Sequence, residues 1–531
     1  MAEKVPKNIP TDDDPVPQQF TDDSGAPATL PDVGSGGEES KMKILLGLLK
    51  RLVGVKDVAN LRLSLPASLL EPIPNLEYWQ YADRADIFAA IGDSSDDLER
   101  MLAVLRFCFS KDLKFIRARL GKTYNSTLGE HFRCSWRVPP LIVDKKTGAP
   151  IVRTHVHVPI PNEPAYGGQG GSGWSTPILR PEDGGKGSET SSIKSASSKN
   201  DKTKSTKLPN PSTASFDMSS LRQAIPGPGD EVLPRDPEAG VKESEKVTVV
   251  FLCEQTSHHP PVSAAYYYCP ERGIEAVGID HILARVSFPS VRLGPGTQNK
   301  GIFIRILRDG PGKGEEYQIT HPEAQVNGIL KGAYYGTMSD QVAVTVRGGD
   351  GATKLRVLLD YKDEPRFLVE GVIYRYKTGD EEAESWKKPK QVPSDKVVAT
   401  LEGNWMKEMK YKLKGEKEWK VLISLDELAL IPKDVRPVEE QDVRESRRLW
   451  DPVTVNLLAK NWGEATKQKQ VIEQRQRDIA AKLKEDGKEH EIIYFEPEYE
   501  DGRPRLTAEG KKAVDEEIAR VTRGVASVAS A

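Results

Sequence analysis

The pattern of hydrophobic and polar positions differs from one stretch of the chain to the next. Residues 57–120 are typical of helices, and within them residues 96–105 begin with acidic side chains and continue with strong helix formers. From about residue 130, β-branched and aromatic residues take over, as in the run 152–158. A polar stretch without Gly or Pro, Glu464 to Glu485, predicts a late helix. The pattern therefore predicts helices on both sides of a β region.

The β region, residues 246–426, contains repeated short runs in which polar and apolar residues alternate, as from Val342 to Val346. Short connectors such as Lys362 to Pro365 separate these runs. Many strands joined by short turns predict an antiparallel meander that closes as a barrel to hide its edges, wide enough for a ligand cavity. The predicted strands are 246–254, 263–269, 301–307, 341–347, 355–361, 367–376, 397–405 and 419–425.

Two segments lack such periodicity. Residues 1–40 are acidic and rich in Pro, Gly and Asp, which predicts a disordered tail. Residues 164–245 are rich in Gly, Ser, Lys and Thr, which predicts a flexible, low-complexity segment. Strand patterns lie on both sides of the second segment, so we interpret it as an insertion into one domain. The entropic cost of closing a loop grows only logarithmically with loop length, so a domain can accommodate an insertion of this size.

Composition narrows the classes of function. The chain has 531 residues, of which 29 % are charged, and its formal net charge is -3. This balance gives no global attraction to nucleic acid or to an anionic membrane, so electrostatic binding must be local. The 4 cysteines form no CxxC pair, as expected in a reducing compartment. Neither a secretory signal nor an apolar run of about 18 residues is present, so we expect a cytoplasmic protein.

A basic, leucine-rich segment follows the acidic tail. Leu45, Leu49 and Leu52 belong to a short predicted helix that Ser40 could cap and that also carries several Lys and Arg residues. Such a segment can lie in a membrane interface. On its own, the pattern favours a helix that packs on its own domain.

The most informative stretch is Glu-Gln-Thr-Ser-His-His-Pro-Pro, residues 254–261, at the end of an apolar strand. The prolines stiffen the chain, so His258 and His259 stand at a rigid strand end where imidazoles can donate hydrogen bonds to a phosphate. A zinc site would need further ligands that do not lie nearby. A Ser257–His258 nucleophile pair is disfavoured, because sequence neighbours rarely reach hydrogen-bond geometry. A purely structural turn remains an equal alternative.

These eight residues resemble the EQVSHHPP fingerprint of the oxysterol-binding-protein family, with Thr256 in the Val position. Residues 121–130 are similar to the family's K-P-x-N-P-x-x-G-E loop, although its two prolines are replaced here. Residues 437–441 and 445–450 resemble its P-x-E-E-Q and E-S-R-x-x-W runs. The chain is therefore similar to the short, fungal-like members that contain only the lipid-binding domain.

A stripe on the late predicted helix adds to the resemblance. Lys469, Glu473 and Arg477 recur every four residues and so share one face, which by spacing alone favours a solvated salt-bridge ladder. The family has a K-x-x-x-E-x-x-x-R helix that supplies basic groups at a tunnel entrance. The resemblance thus implies a phosphoinositide headgroup site made of Lys122, Asn125, His258, His259, Lys469, Glu473 and Arg477.

The fold that the resemblance implies is mostly β with α. It is an incomplete antiparallel β-barrel around a hydrophobic tunnel, with an N-terminal lid helix, a helical layer and a C-terminal helical subdomain. Leu45, Leu49, Leu52 and Leu65 would contact the cargo. The implied organisation is a tail (1–40), a lid (41–64), a helical layer with the first strands (65–163), the insertion (164–245), the barrel (246–430), the helical subdomain (431–520) and a frayed tail (521–531).

The resemblance implies non-vesicular lipid transfer. One sterol, or phosphatidylserine, would ride in the tunnel and be exchanged for phosphatidylinositol 4-phosphate between membranes, with sterol slightly favoured. The implied partners are these lipids and a transient membrane surface of the endoplasmic reticulum, Golgi or plasma membrane. No nucleic acid, cofactor, metal or enzymatic activity is expected. The alternatives are a lipid sensor that signals through partners and, less favoured, a lipid esterase that uses Ser257 and His258.

Overall fold

Helices flank one large antiparallel sheet in the computed structural model of the chain. The described residues are 28–29, 47, 52, 63–64, 67, 70–117, 122–139, 141–143, 150–151 and 243–529, with gaps at 259, 289, 329–334, 364–366, 429 and 432.

The helices lie mainly before and after the strands, as the sequence pattern predicts. The acidic start of the longest early helix acts as a cap, because the Asp96 side chain accepts a hydrogen bond from the Glu99 backbone N–H at 2.9 Å. The last helix continues to Ala529, past residue 521 where the predicted tail begins. The helices are α1 (Asn75–Tyr78), α2 (Ala85–Ala89), α3 (Asp97–Ser110), α4 (Lys114–Arg117), α5 (Glu381–Ser385), α6 (Ser446–Leu458), α7 (Trp462–Glu485) and α8 (Ala508–Ala529).

Two pairs of two-residue strands stand apart from the main sheet: β1 (Ala28–Thr29) with β2 (Leu63–Ser64), and β4 (Ile142–Val143) with β5 (Pro150–Ile151). The main sheet contains β3 (His131–Val138), β6 (Val247–His258), β7 (Pro261–Cys269), β8 (Ile274–Ser287), β9 (Ser290–Pro295), β10 (Ile302–Ile306), β11 (Glu315–Ile319), β12 (Glu323–Asn327), β13 (Tyr335–Gly348), β14 (Thr353–Tyr361), β15 (Leu368–Lys377), β16 (Val397–Asn404), β17 (Glu408–Leu413) and β18 (Lys420–Ser424).

The 14-stranded sheet is antiparallel throughout and contains a closed ring. β8 pairs with β10 along its first half and with β9 along its second half. β13 pairs with β12 along its first half and with β11 along its second half, and pairing between β9 and β12 closes the ring. The predicted antiparallel β fold with flanking helices is thus confirmed, and the closed part of the sheet is this ring of strands.

The core lies on the two faces of this sheet. The inner face carries Ala276, Ile304 and Tyr317 in register on β8, β10 and β11, and it packs against apolar residues of α2 and α3 such as Phe88 and Leu105. The outer face of β6 to β8 is covered by the C-terminal segment around Phe495 and by α8. Both layers fix the end of β6, which carries the predicted site.

Candidate functional site

The loop before β3, residues 122–130, is anchored by a buried carboxylate. Glu130 is wholly buried and accepts hydrogen bonds from the Thr127 backbone N–H at 2.9 Å, Ser446 Oγ at 2.6 Å and Trp450 Nε1 at 3.0 Å. Burial raises the pKa of the Glu130 carboxyl, and these hydrogen bonds oppose the rise. One side chain therefore fixes the loop to α6.

Further contacts hold the same loop where the family motif has proline. The Thr123 hydroxyl donates to Asn75 Oδ1 at 2.9 Å. Tyr124 is fully buried, and its ring lies 4.9 Å from that of Trp450. The Lys122 carbonyl accepts the Glu71 backbone N–H at 2.8 Å. The loop is thus held by the early helices and by α6 together.

The loop also joins the end of β6. The Gly129 N–H donates to the Gln255 carbonyl at 3.0 Å, and the Gln255 N–H donates to the Glu130 carbonyl at 2.7 Å. Beyond Gln255 the β6–β7 register shifts, because Gln255 faces Ser263 whereas Ser257 faces Val262. Thr256 is the extra residue of this β-bulge, a feature that re-aims side chains at a strand end.

The remaining fingerprint residues tie β6 to the C-terminal segment. Both oxygens of the buried Glu254 carboxylate accept backbone N–H groups, from Ile493 at 2.9 Å and from Tyr494 at 2.8 Å. The Thr256 hydroxyl, which replaces a valine methyl of the family pattern, accepts a hydrogen bond from Tyr499 OH at 2.8 Å. These two side chains secure the strand that ends at His258.

Two lysines from distant parts of the chain meet beside this loop. Lys122 Nζ donates to Asn125 Oδ1 at 2.7 Å, and both side chains are exposed. Lys469 is 3 % exposed and pairs with Glu473 at 2.6 Å. The surrounding protein and the nearby charge of Lys469 lower the pKa of Lys122 to about 8, against a smaller opposing effect of Glu473. The place where Lys122, Asn125, Lys469 and Glu473 lie near one another is called the recess below.

For the other predicted site residues, the structure gives fewer contacts or no description. Arg477 lies on the same helix, α7, but its guanidinium donates to Gln474 Oε1, at 2.8 Å and 3.2 Å, and not to Glu473. His258 is exposed at the end of β6. Leu52 is 1 % exposed. His259, Leu45, Leu49 and Leu65 lie outside the described residues.

A second polar group lies on the inner face of the sheet, where the two halves of β8 meet. Tyr81 OH donates to Asp280 Oδ1 at 2.6 Å, and the Tyr81 N–H donates to Tyr267 OH at 2.9 Å. The His321 ring lies over that of Tyr81, with 5.6 Å between centroids, and the same residues line a cleft. Burial raises the pKa of Asp280 to about 6 and lowers that of His321 to about 3.

Sequence reasoning assigned no role to the residues that hold the site in place. Glu130, Ser446 and Trp450 lie in the motif runs, but their mutual contacts are visible only in three dimensions. A buried ionic triad was also missed: Glu77 Oε1 lies 2.7 Å from Arg447 and 3.3 Å from Lys433, and the two cations lower the pKa of Glu77 against the effect of its burial.

The described part of the chain contains neither a metal-binding cluster nor a membrane-spanning helix. There, no group of three or more His, Cys, Asp and Glu side chains could hold a metal ion. No helix of that part is both long and apolar enough to cross a bilayer.

Comparison with known proteins gives these residues a context. The family model "Oxysterol-binding protein" matches residues 44–153 and 240–456, more than half of the chain. The chain is also 40 % identical over 496 residues to oxysterol-binding protein-like protein 1 of Schizosaccharomyces pombe, which covers 91 % of this chain and 92 % of that protein. The chain belongs to the oxysterol-binding-protein family. Its members are lipid-binding proteins and not enzymes.

Other relatives place the chain within this family. It is 26 % identical over 466 residues to human oxysterol-binding protein-related protein 11, which is 87 % of this chain but only 49 % of that protein. Among solved structures, the ORD domain of Osh1 in complex with ergosterol matches with a TM-score of 0.53 and 17 % identity, covering 95 % of this chain and 93 % of that one. This likeness shows that the fold is that of the oxysterol-binding-protein family.

Proposed function

We propose that this protein carries one lipid at a time inside the sheet and exchanges a sterol, or phosphatidylserine, for phosphatidylinositol 4-phosphate between membranes. The observation that carries the proposal is the meeting of Lys122 and Lys469 in one recess, where the charge of one lowers the pKa of the other. Lys469 pairs with Glu473, and the exposed amine of Lys122 adds a second positive charge close by, to which a phosphate could bind.

The headgroup site follows from this arrangement. Lys122, Lys469 and Arg477 supply positive charge, Asn125 offers a neutral hydrogen bond, and Glu473 orients Lys469. His258, at the end of β6, and the next residue in the sequence, His259, would bind the phosphate on the inositol ring; the loop 122–130 joins β6 through Gln255.

The acyl chains or the sterol would lie against the inner face of the ring. In its β9–β12 half, apolar residues face inward but are only half-buried; the row Ala284, Leu293 and Ala324 is an example. An apolar row that a core does not cover can be covered by a lipid, and each buried CH₂ then contributes ~0.8 kcal/mol.

The inner polar group favours sterol as the cargo. Asp280 and Tyr81 form a small polar group with Tyr267 and His321 at the inner face, beside apolar residues such as Ala265 and Ile302. A sterol carries a single hydroxyl at the end of a rigid apolar body, and the Asp280 carboxylate can accept a hydrogen bond from it. The acyl ends of phosphatidylserine have no such group.

Geometry disfavours the esterase alternative. Ser257 and His258 are consecutive strand residues beyond the bulge, and successive side chains of a strand point to opposite faces. They are therefore not arranged as a nucleophile and its base. No contact of the described residues favours the alternative of a sensor that signals through partners.

The test is extraction of phosphatidylinositol 4-phosphate from liposomes. Replacing His258 and His259 together by Ala should abolish extraction, and Lys122→Ala should reduce it at least tenfold, because each removes a direct phosphate contact. Lys467→Ala is the matched control, since Lys467 lies on α7 but its side chain is 71 % exposed. Undiminished extraction by the double histidine variant would refute the assigned site.

A further inference from the structure

The β8–β9 hairpin continues past the ends of β6 and β7 on the side that carries His258, and its β9 strand pairs with β12. β7 begins at Pro261, and its Val262 pairs with His281, but β8 continues to Ser287. At ~3.3 Å per residue, these extra positions extend roughly 20 Å past the end of β6 and β7. The hairpin therefore stands on the same side of the molecule as the headgroup site.

The tip of this hairpin is aromatic and exposed. Ser287 pairs with Ser290, and Ser290 Oγ donates to the Ser287 carbonyl at 2.8 Å, which closes a tight turn. Phe288 lies in that turn and is 37 % exposed. Its ring contacts no other ring among the described residues. A large apolar side chain exposed on a turn suits a surface that can accept it.

Two arginines lie side by side just behind the tip. Arg285 of β8 and Arg292 of β9 are directly opposite each other, and both are exposed. Like charges at opposed positions of an antiparallel pair are destabilising. Arg292 is compensated by Glu323 at 3.1 Å, whereas Arg285 has no ion-pair partner within the described residues. The pair keeps an excess positive charge that an external anion can neutralise.

We propose that the β8–β9 hairpin docks the protein onto an anionic bilayer. Phe288 would enter the interface between headgroups and acyl chains, while Arg285 and Arg292 bind lipid phosphates behind it. A bilayer suits this turn better than an acidic protein does, because an exposed aromatic ring in front of two cations matches the boundary between acyl chains and lipid phosphates. The inference rests on the proposed function only in that lipids enter at this end of the sheet.

The experiment compares binding of the full chain to vesicles of phosphatidylcholine with and without phosphatidylserine. The combined variant Arg285→Glu and Phe288→Ser should lose at least about tenfold in affinity for the anionic vesicles, because it reverses one charge and removes the aromatic anchor. The matched control is Lys313→Glu with Leu307→Ser, which are 59 % and 45 % exposed and follow β10 at the opposite end of the sheet.

A second measurement separates docking from headgroup binding. Both variants should bind water-soluble short-chain phosphatidylinositol 4-phosphate as the unchanged protein does, whereas Lys122→Ala should lose that binding and still dock on anionic vesicles. Equal vesicle binding by the hairpin variant and the unchanged protein would overturn the inference. Equal losses in the hairpin variant and in the control would also overturn it, as would hairpin-dependent binding to polyglutamate without binding to vesicles.

Discussion

The two halves of the strand ring have similar patterns of side chains but different environments. In the half formed with β10 and β11, inward residues such as Ile304 and Tyr317 are completely buried against the helical layer. In the half formed with β9 and β12, the inward residues Leu293, Ala324 and Val326 are apolar as well, yet they are only half-buried. The same alternation therefore serves a packed core in one half and a less completely covered wall in the other.

Because the two halves of the ring differ in packing, they should contribute differently to stability and to ligand binding. A close-packed interior loses free energy when a side chain is truncated, because the cavity that remains is not refilled. A half-buried wall has little packing to lose, but it is where a lipid would gain contacts. Substitutions in the first half should therefore change folding, and those in the second half should change loading.

The largest expected effect is on the packed half. Ile304→Ala removes three carbons from a position that is fully buried on β10, and we expect the free energy of unfolding to fall by about 2–5 kcal/mol. Chemical denaturation followed by intrinsic fluorescence would measure it. Val291→Ala on β9 is the counterpart, and we expect less than about 1 kcal/mol. Equal losses at the two positions would remove the distinction between the halves.

Filling the wall should have the next largest effect. Ala324→Phe places a large ring on the inner face of β12, between Leu293 and Met338. We expect binding of a fluorescent sterol to fall at least tenfold while the melting temperature stays nearly unchanged. Ala276→Phe in the packed half should instead cost about 1–3 kcal/mol of stability by overpacking. Full sterol binding by Ala324→Phe would place the cargo elsewhere.

A smaller effect is expected in amide hydrogen exchange. Adding ergosterol should slow exchange in β9 and β12, because a bound lipid would cover their half-buried inward residues. Exchange in β10 and β11 should remain the same, since these strands are already packed. Protection confined to β10 and β11 would reverse the assignment of the two halves.

Several strands could be predicted from the alternation of polar and apolar residues. The difference in packing between the two halves of the ring could not. The runs at 341–347, 355–361 and 397–405 are strands in the structure, with ends that differ by a few residues. β8 was missed, because Gly278 and the polar run Asp280–His281 interrupt its apolar pattern. Those positions lie where β8 changes partner from β10 to β9, which is a property of the tertiary fold.

The candidate site, too, could be predicted only in part from the sequence. Lys469 and Glu473 were predicted to share a helix face, and their side chains form an ion pair in the structure. Nothing in the local sequence indicated that Lys122 would lie near them, and only the family resemblance connected the two segments. The contacts of Glu130 with Ser446 and Trp450, which hold the loop, depend on residues far along the chain.

The effect of Lys469 on Lys122 in the recess predicts a pH dependence of phosphate binding. Burial and the charge of Lys469 lower the pKa of Lys122 to about 8, below the usual value for lysine. If only the protonated amine binds phosphate, affinity for a short-chain phosphoinositide should fall roughly tenfold between about pH 7 and pH 9, whereas an ordinary lysine would change little there.

Replacing Lys122 by arginine tests whether the titration of Lys122 causes this pH dependence. Lys122→Arg keeps its charge throughout this range, because the guanidinium pKa lies far above it. The variant should bind with a nearly flat profile up to about pH 9, even if the bulkier side chain weakens binding at every pH. A flat profile in the unchanged protein would mean that Lys122 does not contribute its charge to the phosphate. A profile that falls equally in both proteins would assign the titration to another group, and the recess would then be a structural feature and not the phosphate site.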